Sequence, residues 1–439
     1  MTSSANPDPG DMCMRVALIS ANTEQVNMPV LPLGMARVAA AVEEAGHETR
    51  ILNLMRPEHV SRSLDDALLG FQPDVIGISV RNIDDQYRES PNFLLPPVRQ
   101  VVQECRRLSP APLVLGGPGY SIFPEEVLQY LQADYGIRGE GEHAFPLLLD
   151  RLEQGLSPSD VPGLVAPREG EKRDPLRIRS LDGFPLPQPD RHLPIPADVN
   201  REEIWVPFQT RRGCPMCCSY CSTPLIEGGF IRRQSVAAAV ENLKAYAAAG
   251  YKRFFFVDNT FNLPPSYAEA LCEAIIQAGL DLAWQAIIYP LRLNPRLADK
   301  MARAGCVGAS IGFESGSPQI LRALNKRFSP EDVRQASRVL ADQGISRMGF
   351  LLLGGPGETR ESVEESIAFA DSLSPELMKV TAGIRIYPHT ALAEQAIARG
   401  LARSHLDLLH PVFYLEPDLD GWLQDRTARL VEERENWQM

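Results

Sequence analysis

The chain has 439 residues, of which 44% are hydrophobic and 23% are charged, a composition typical of a folded protein with two or three domains. Its formal net charge of -12 argues against a general polyanion binder, so we expect no nucleic-acid partner. The polar N-terminus lacks the pattern of a signal peptide, and no apolar run approaches the roughly 20 residues of a membrane span. These features predict a soluble cytoplasmic protein.

Residues 1–155 alternate short apolar runs with amphipathic helical patterns. The runs MRVALISA, DVIGISV and PLVLGG are strand candidates, and LGMARVAAAVEEAG and FPEEVLQYLQ have helical periodicity. Short buried runs between helices are typical of a parallel sheet covered on both faces. The sequence therefore predicts an N-terminal α/β, doubly wound, Rossmann-like domain.

Residues 156–200 contain the Pro-rich runs SPSDVPG and FPLPQPDRHLPIPADVN. Such proline density disfavours helices and central strands. We expect a linker that crosses the surface between two domains, with a boundary near Asn200.

Residues 201–400 carry six further strand candidates separated by helical patterns. They read WVPFQT, RFFFVDN, LAWQAIIYP, CVGASIGF, RMGFLLLGG and MKVTAGIRIYP. Six right-handed β/α units predict a partial (β/α)6 relative of the TIM barrel, with the active site at the strand carboxyl ends. Residues 401–439 form a C-terminal extension whose role the sequence does not indicate.

Four of the eight cysteines lie in QTRRGCPMCCSYCSTP, directly after the first barrel strand. Cys214, Cys218 and Cys221 have the spacing C-x3-C-x2-C, and three thiolates can hold three irons of a 4Fe-4S cluster while the fourth iron stays open. Structural zinc is disfavoured because no second Cys pair or nearby His completes a set of four. Cys217 is set aside on spacing alone. We expect Cys105, Cys272 and Cys306 to be small buried side chains.

This motif resembles the signature of the radical S-adenosylmethionine superfamily, which places an aromatic residue, here Tyr220, before the last cysteine. The resemblance covers roughly Ile204 to Leu401. It implies that S-adenosylmethionine chelates the open iron and is cleaved to a 5'-deoxyadenosyl radical, with an electron donor such as flavodoxin or ferredoxin as partner.

The resemblance also implies cofactor contacts at the ends of the later strands. Asp258 and Asn259 are expected near the methionyl amine, although an ordinary turn with a capping Asp or Asn is the alternative. The remaining candidates are contacts to the ribose, the methionyl group and the adenine, namely Gly312, Glu314, Ser315, Gly354, Gly355 and Tyr387.

The first domain resembles cobalamin-binding domains through PLGMARVAAAVEEAGHE, VLGGPGYSIFPEEVL and GEGE. Ligands of such sheets bind at the strand carboxyl ends, and a domain that only packs is the alternative. The expected corrin contacts are Leu33, Gly34, Ser79, Val80, Arg81, Asn82, Gly116, Gly117, Pro118, Glu140 and Gly141.

The cobalt is expected to lack a histidine ligand, because the Asp-x-His-x-x-Gly motif of methionine-synthase-like domains is missing. Its nearest counterpart, Asp190-Arg-His192, lies in the Pro-rich segment without the required Gly. Arg81 or Asn82 would then face the lower side of the corrin and crowd out an axial ligand. A solvated charged loop is the alternative for VRNIDDQ.

The two resemblances together imply a radical enzyme that methylates an unactivated carbon through methylcobalamin. Oxidative cyclisation, ring contraction or rearrangement would use the same domains without methyl transfer. A non-catalytic cobalamin sensor with a structural cluster is a more distant alternative. The expected substrate is a small molecule, lipid or natural-product intermediate.

Overall fold

The computed structural model describes residues 13–22, 31–55, 60–167, 173–193, 195 and 200–439. Residues 1–12, where the sequence predicts no signal peptide, lie outside this description. Among the described residues, no helix combines the length and the apolar character needed to cross a bilayer.

The N-terminal domain contains a six-stranded sheet, as expected of a doubly wound fold. Its strands are β1 (Arg15–Ser20), β2 (Glu48–Asn53), β3 (Val75–Ser79), β4 (Leu113–Gly116), β5 (Tyr135–Ile137) and β6 (Leu164–Val165). The spatial order is β2-β1-β3-β4-β5-β6, in which the first five strands are parallel and β6 is antiparallel to β5. Strand β2 lies on one side of β1, and the later strands follow on the other side, so the direction in which strands are added reverses between β1 and β3. Open α/β sheets bind ligands at such a point.

Helices cover both faces of this sheet. They are α1 (Leu33–Glu44), α2 (Val60–Leu69), α3 (Leu95–Leu108), α4 (Pro118–Ile122), α5 (Pro124–Leu131) and α6 (Gly141–Glu153). Helices α1 and α6 pack on one face, through residues such as Val42 and Leu148, and α3 and α5 pack on the other, through residues such as Val102 and Val127. The doubly wound prediction is confirmed.

The Pro-rich segment is more than a surface linker. It supplies β6, a 3-10 turn at Leu181–Gly183 and the one-turn helix α7 (Pro189–His192). Leu181 and Leu193 are buried, and His192 Nε2 lies 2.8 Å from a Glu43 carboxylate oxygen on α1. Prolines stop long elements, but the apolar residues between them still pack. The front sheet therefore continues beyond the predicted boundary at residue 155.

The second sheet contains the six predicted barrel strands, which run parallel in consecutive order. Between the first two, β8 (Arg211–Arg212) and β9 (Arg232–Arg233) form a small antiparallel pair that frames the cysteine loop. The barrel strands are β7 (Trp205–Phe208), β10 (Arg253–Phe256), β11 (Ala283–Ile288), β12 (Cys306–Glu314), β13 (Ser346–Leu353) and β14 (Leu377–Ala382).

Helices follow these strands; the first and the last pack toward the core of the front domain, and the others pack mainly on the barrel core. They are α8 (Thr223–Glu227), α9 (Val236–Ala248), α10 (Pro265–Gln277), α11 (Pro295–Arg303), α12 (Pro318–Ala323), α13 (Pro330–Asp342), α14 (Arg360–Leu373) and α15 (Ala391–Ala398). The barrel core is rich in aromatic rings, among them Phe208, Phe256 and Trp284. Cys272 and Cys306 are buried in this core, and Cys105 is buried in the front domain, as predicted.

The C-terminal extension completes the edge of the barrel sheet. After the antiparallel pair of β15 (Ile384–Arg385) and β16 (Phe413–Tyr414), helix α16 (Trp422–Glu433) leads to β17 (Trp437–Gln438). Strand β17 pairs in parallel with β14. The extension therefore adds a seventh strand to the sheet.

Buried ion pairs join the two domains. Arg212 pairs with Glu142, and Arg385 Nε lies 2.8 Å from Asp84, with all four side chains at most 8% exposed. Burial alone would raise the pKa of Glu142, but the Arg212 guanidinium outweighs it and holds that pKa below its ordinary value. These pairs fix the front domain against the carboxyl ends of the barrel strands.

Candidate functional site

The cysteine loop begins at a glycine that no other residue could replace without rearrangement. Gly213 has φ +87°, and a Cβ there would lie 2.1 Å from the Phe230 carbonyl oxygen. The Cys214 amide donates to the Gly228 carbonyl at 3.1 Å. The turn therefore sends the chain from β8 into the loop and brings it back to β9.

Three of the four loop cysteines are partly buried and one is exposed. Cys214, Cys218 and Cys221 are partly enclosed, whereas Cys217 is exposed and has a left-handed φ of +55°. This division follows the predicted ligand set, with Cys217 outside it. Burial raises the pKa of the Cys218 thiol to about 11, so metal binding is needed to hold it as a thiolate.

The loop is anchored to the ends of later elements. The Ser219 amide donates to the Leu324 carbonyl at 3.1 Å, and the Leu392 amide donates to the Ser219 carbonyl at 2.8 Å. The Asn325 amide group donates to the Cys217 carbonyl at 2.6 Å. Segments that follow β12 and begin α15 thus hold the backbone on which the cysteines lie.

The donor set fits an iron-sulfur cluster. Within the described ranges, no three His, Cys, Asp or Glu side chains converge closely enough to hold one metal ion. A cubane spaces its cysteine ligands more widely than a single ion does, because the thiolates bind different irons. Cys214, Cys218 and Cys221 supply the three partly enclosed thiols, on one anchored loop, that such a cluster needs.

The carboxylate of Asp258 is buried and is hydrogen-bonded to Thr210, just before β8, and to Arg211, the first residue of β8. Its carboxylate accepts from the Thr210 amide at 2.7 Å, the Thr210 hydroxyl at 2.6 Å and the Arg211 amide at 3.0 Å. The Arg211 Nε lies 3.1 Å away. These contacts position the start of the cysteine loop, and the expected contact of Asp258 with the methionyl amine stays a prediction.

Asn259 reaches the same loop through Glu227. Its side-chain amide donates to the Glu227 carboxylate at 2.5 Å, and that carboxylate also accepts from the Gly213 amide at 2.9 Å and from Gln209 at 3.0 Å. Glu227 was not among the predicted site residues. Only its position six residues after Cys221 offered a sequence signal.

A partly buried polar cluster lies beside the cysteines. The Tyr220 hydroxyl donates to the Glu314 carboxylate at 3.0 Å, and the Lys326 ammonium lies 3.1 Å from the same oxygen. Burial would lower the pKa of Lys326, but Glu314 outweighs it and raises that pKa well above its ordinary value. Tyr220 and Glu314, both candidate cofactor contacts, lie together here, while Lys326 was not among the candidates.

The other two candidates on β12 and its loop have different surroundings. A Cβ on Gly312 would lie 2.9 Å from Glu314 Oε1, so this glycine leaves room for the carboxylate. Ser315 is fully buried; its hydroxyl shares a hydrogen bond with the Ser366 hydroxyl at 2.8 Å and accepts one from the Ser317 amide at 3.1 Å. The Ser315 hydroxyl ties the loop to α14, and its expected contact with a cofactor stays a prediction.

The glycine-rich loop after β13 uses its backbone internally. The Glu358 carboxylate accepts from the Gly354 amide at 2.5 Å and the Gly355 amide at 3.0 Å. A Cβ on Gly354 would meet Leu415 at 2.4 Å. The two amides therefore shape the loop, and the expected approach of adenine to it stays a prediction.

Burial raises the pKa of Glu358 to about 7, against the opposing effect of its two amide donors. The folded state therefore favours the protonated acid, so the associated stability is complete below pH 4.5 and lost as the pH rises through 7. We expect Glu358→Gln to gain stability relative to wild type between about pH 5 and 8, by up to about 3 kcal/mol.

Chemical denaturation across this pH range measures the difference in the free energy of unfolding. Glu365→Gln is the matched control, because Glu365 is an exposed residue of the following helix. Its curve should parallel that of wild type. A parallel curve for Glu358→Gln as well would contradict the burial argument.

Tyr387 lies at the junction of the two domains. Its ring centroid is 6.4 Å from that of Phe123 in the front domain, and the Arg385 guanidinium lies 5.1 Å from its ring. Burial raises the pKa of its phenol, which therefore stays neutral. The ring packs against the core of the front domain, and its contact with adenine stays a prediction.

A large cleft opens where β1, β3 and β4 of the front domain end. About 1490 Å³ is free of protein atoms there, part of it open to solvent, and Gln209, Arg212 and Glu227 of the barrel domain form its far wall. The predicted corrin contacts found along this cleft are Leu33, Gly34, Ser79, Arg81, Gly116, Gly117, Pro118, Glu140 and Gly141.

Two glycines give the cleft a floor that a planar ligand can approach. A Cβ on Gly34 would meet nothing within 4 Å, and one on Gly116 would meet only the Ile137 carbonyl at 3.9 Å. Side chains there would fill the cleft. The lining is mostly apolar and contains no histidine among the described residues. The cleft therefore fits a large, flat cofactor such as a corrin.

Two predicted contacts, Val80 and Asn82, do not line the cleft. Val80 is buried, and its carbonyl accepts from the Gly119 amide at 3.0 Å. Gly117, with φ +101°, allows this approach, because a Cβ there would lie 2.7 Å from the Val80 oxygen. Asn82 does not line the cleft, whereas Arg81 does. Val80 therefore shapes the cleft from behind.

Glu140 combines a place on the cleft wall with a role between the domains. Its carboxylate lies 2.5 Å from Arg232 and 3.3 Å from Arg212. The VRNIDDQ loop is likewise not a freely solvated loop, because its Asp84 is buried against Arg385. The loop is thereby held in place beside the cleft.

Two family models match the chain. The Radical SAM superfamily model matches residues 209–370, and the B12 binding domain model matches residues 19–149. The first range holds the cysteine loop and the second holds most of the cleft.

Related proteins match over most of the chain. An uncharacterised methyltransferase of Pyrococcus horikoshii is 31% identical over 88% of this chain and 84% of its own length. Tryptophan 2-C-methyltransferase of Streptomyces laurentii is 24% identical over 86% of this chain and 74% of its own.

A solved structure has the same fold. The radical S-adenosylmethionine methyltransferase TsrM of Kitasatospora setae, with cobalamin and a 4Fe-4S cluster bound, superimposes with a TM-score of 0.86 at 22% identity. The match covers 98% of this chain and 91% of that one.

Proposed function

This chain belongs to the family of cobalamin-dependent radical S-adenosylmethionine enzymes, and on that premise we propose that it methylates an unactivated carbon of a small molecule. Methyltransferases recur among its relatives, which favours methylation over cyclisation or rearrangement. The expected cofactors are a 4Fe-4S cluster, S-adenosylmethionine and cobalamin.

One observation carries the proposal, namely that the cleft and the cysteine loop share a wall. Glu227 lines the cleft, and its carboxylate accepts a hydrogen bond from the Gly213 amide, one residue before Cys214. Two cofactors bound at these places would thus lie close together, with Glu227 in contact with both sites. Methyl transfer driven by a radical needs this proximity, because both reactive centres must reach one carbon.

When bound, the cluster supplies the electron that cleaves S-adenosylmethionine, and cobalamin supplies the methyl group. The chain's own residues bind and orient these groups. Cys214, Cys218 and Cys221 would hold the cluster, and Glu314 with Tyr220 presents polar groups beside it. The buried ion pairs Arg212 to Glu142 and Arg385 to Asp84 keep the two domains together and limit water entry.

Arg81 is the residue we propose for the lower side of the corrin. It follows β3, where the sheet order reverses, and it lines the cleft. A guanidinium at this place would occupy space that an axial ligand needs. Asn82, the alternative candidate, lies outside the lining.

The proposed cofactors, the cysteines and the net charge indicate the partners and the cellular compartment of the protein. A cluster of this kind needs an external electron donor such as flavodoxin or ferredoxin. The eight free cysteines are compatible with a reducing cytoplasm. With a net charge of -12, we expect no nucleic-acid partner.

The experiment that tests methylation follows the mass of the product. Anaerobically reconstituted protein is supplied with reductant, cobalamin, candidate small molecules and S-adenosylmethionine that carries a deuterated methyl group. We expect 5'-deoxyadenosine and a product that has gained one labelled methyl. A product that has only lost hydrogen, or an isomer of the substrate, would contradict methyl transfer, and absence of 5'-deoxyadenosine would contradict radical chemistry.

A further inference from the structure

A second cavity adjoins the cysteine loop and shares no lining residue with the front-domain cleft. About 1010 Å³ is free of protein atoms there, part of it open to solvent. Met216 of the cysteine loop lines it, together with Leu263 after β10 and Tyr289 and Leu291 after β11. The cavity is therefore apolar inside and adjoins the site where the radical would form.

Three arginines surround this apolar interior. Arg233, Arg292 and Arg327 come from β9 and from the loops after β11 and α12, and all three are exposed. None of their guanidinium groups has an ion pair or a hydrogen bond to a side chain within the described ranges. The Arg233 guanidinium lies 5.3 Å from the Tyr267 ring. Three uncompensated cations at one cavity are unusual in a chain of net charge -12.

The backbone at Arg292 and Arg327 supports a binding role for this side of the cavity. Arg292 has φ +63°, a left-handed conformation that costs a long side chain free energy and is common at binding sites. The neighbour of Arg327, Lys326, forms an ion pair with Glu314. It is therefore not counted with the three unpaired arginines. The Arg327 amide donates to the Tyr289 hydroxyl at 3.2 Å, which fixes the cavity wall.

We infer that this cavity binds the substrate and that the substrate is an oxyanion, a carboxylate or phosphate attached to an apolar body. The guanidinium groups bind the anion through charge-assisted hydrogen bonds, and the apolar interior holds the body of the substrate beside the cluster loop. The inference rests on the proposed function, because it assigns the substrate of that same reaction.

The test measures binding without turnover. Holoenzyme loaded with cluster, cobalamin and S-adenosylmethionine, without reductant, is titrated with 3-phenylpropionate, 3-phenylpropyl phosphate and neutral 3-phenylpropanamide by calorimetry. We expect at least one of the two anions to bind about tenfold or more tightly than the amide, the effect of about one additional charge-assisted contact. The anion that binds more tightly identifies the oxyanion.

The triple variant Arg233→Gln, Arg292→Gln and Arg327→Gln should abolish that preference and leave the affinity for S-adenosylmethionine unchanged. Arg296→Gln is the control, since Arg296 is an exposed arginine of α11 that pairs with Glu269. It should retain the preference. Equal binding of anion and amide to wild type, an unchanged preference in the triple variant, or weaker S-adenosylmethionine binding in that variant would overturn the inference.

This outcome is separable from that of the proposed function. Methylation of a neutral substrate by the holoenzyme would overturn the oxyanion assignment and leave methyl transfer intact. Missing 5'-deoxyadenosine would overturn the proposed function, while the binding preference could still be measured.

Discussion

Replacement of Cys218 by alanine should abolish 5'-deoxyadenosine formation, whereas Cys217→Ala should retain most of it. Cys218 is partly enclosed beside Glu314 and Lys326, while Cys217 is exposed on the outside of the loop. With two ligands left, a cubane loses one of its three protein-bound irons. We expect the yield of 5'-deoxyadenosine to fall by more than about 100-fold, because loss of a direct ligand should cost more than loss of an outer-shell partner of a metal site.

The measurement combines iron and sulfide content, the visible absorption of the reconstituted cluster and the yield of 5'-deoxyadenosine. Cys217→Ala is a matched control, because it removes a neighbouring thiol from the same loop. The reverse result, with activity lost in Cys217→Ala and kept in Cys218→Ala, would show that the ligand assignment by spacing is wrong. Equal loss in both variants would indicate a general failure of the loop to fold.

The barrel strands were predictable because strands of a parallel sheet are buried on both faces and read as continuous apolar runs. Runs such as RFFFVDN and CVGASIGF contain β10 and β12. Strand β17 could not be predicted in this way. It has two residues, Trp437 and Gln438, and it exists because α16 returns the chain to the free edge of β14.

The cysteine ligands could be predicted from spacing, but the direction of side chains at the strand ends could not. Successive residues of an extended chain point to opposite sides, so a motif that fixes the location of Asp258 or Ser315 does not fix what each side chain faces. Lys326 was missed for a different reason. It lies 12 residues after Glu314, and only the fold of α12 brings the two together.

The role of Asp258 leads to the second large expected effect. Asp258→Asn should lower the free energy of unfolding by about 3 to 5 kcal/mol, because Arg211 would remain buried without its charge partner. Both side chains are at most 1% exposed. Since Thr210 and Arg211 precede the cysteine loop and depend on this carboxylate, the variant should also bind less iron.

A double-mutant cycle distinguishes this positioning role from direct contact with S-adenosylmethionine. Arg211→Met combined with Asp258→Asn removes both charges, and it should recover part of the stability that Asp258→Asn alone loses. Asp74→Asn is the control, because its pair with Arg15 is exposed and should contribute about 0 to 1 kcal/mol. If Asp258 instead held the methionyl amine, Asp258→Asn would weaken S-adenosylmethionine binding without changing stability. The second substitution would then recover nothing.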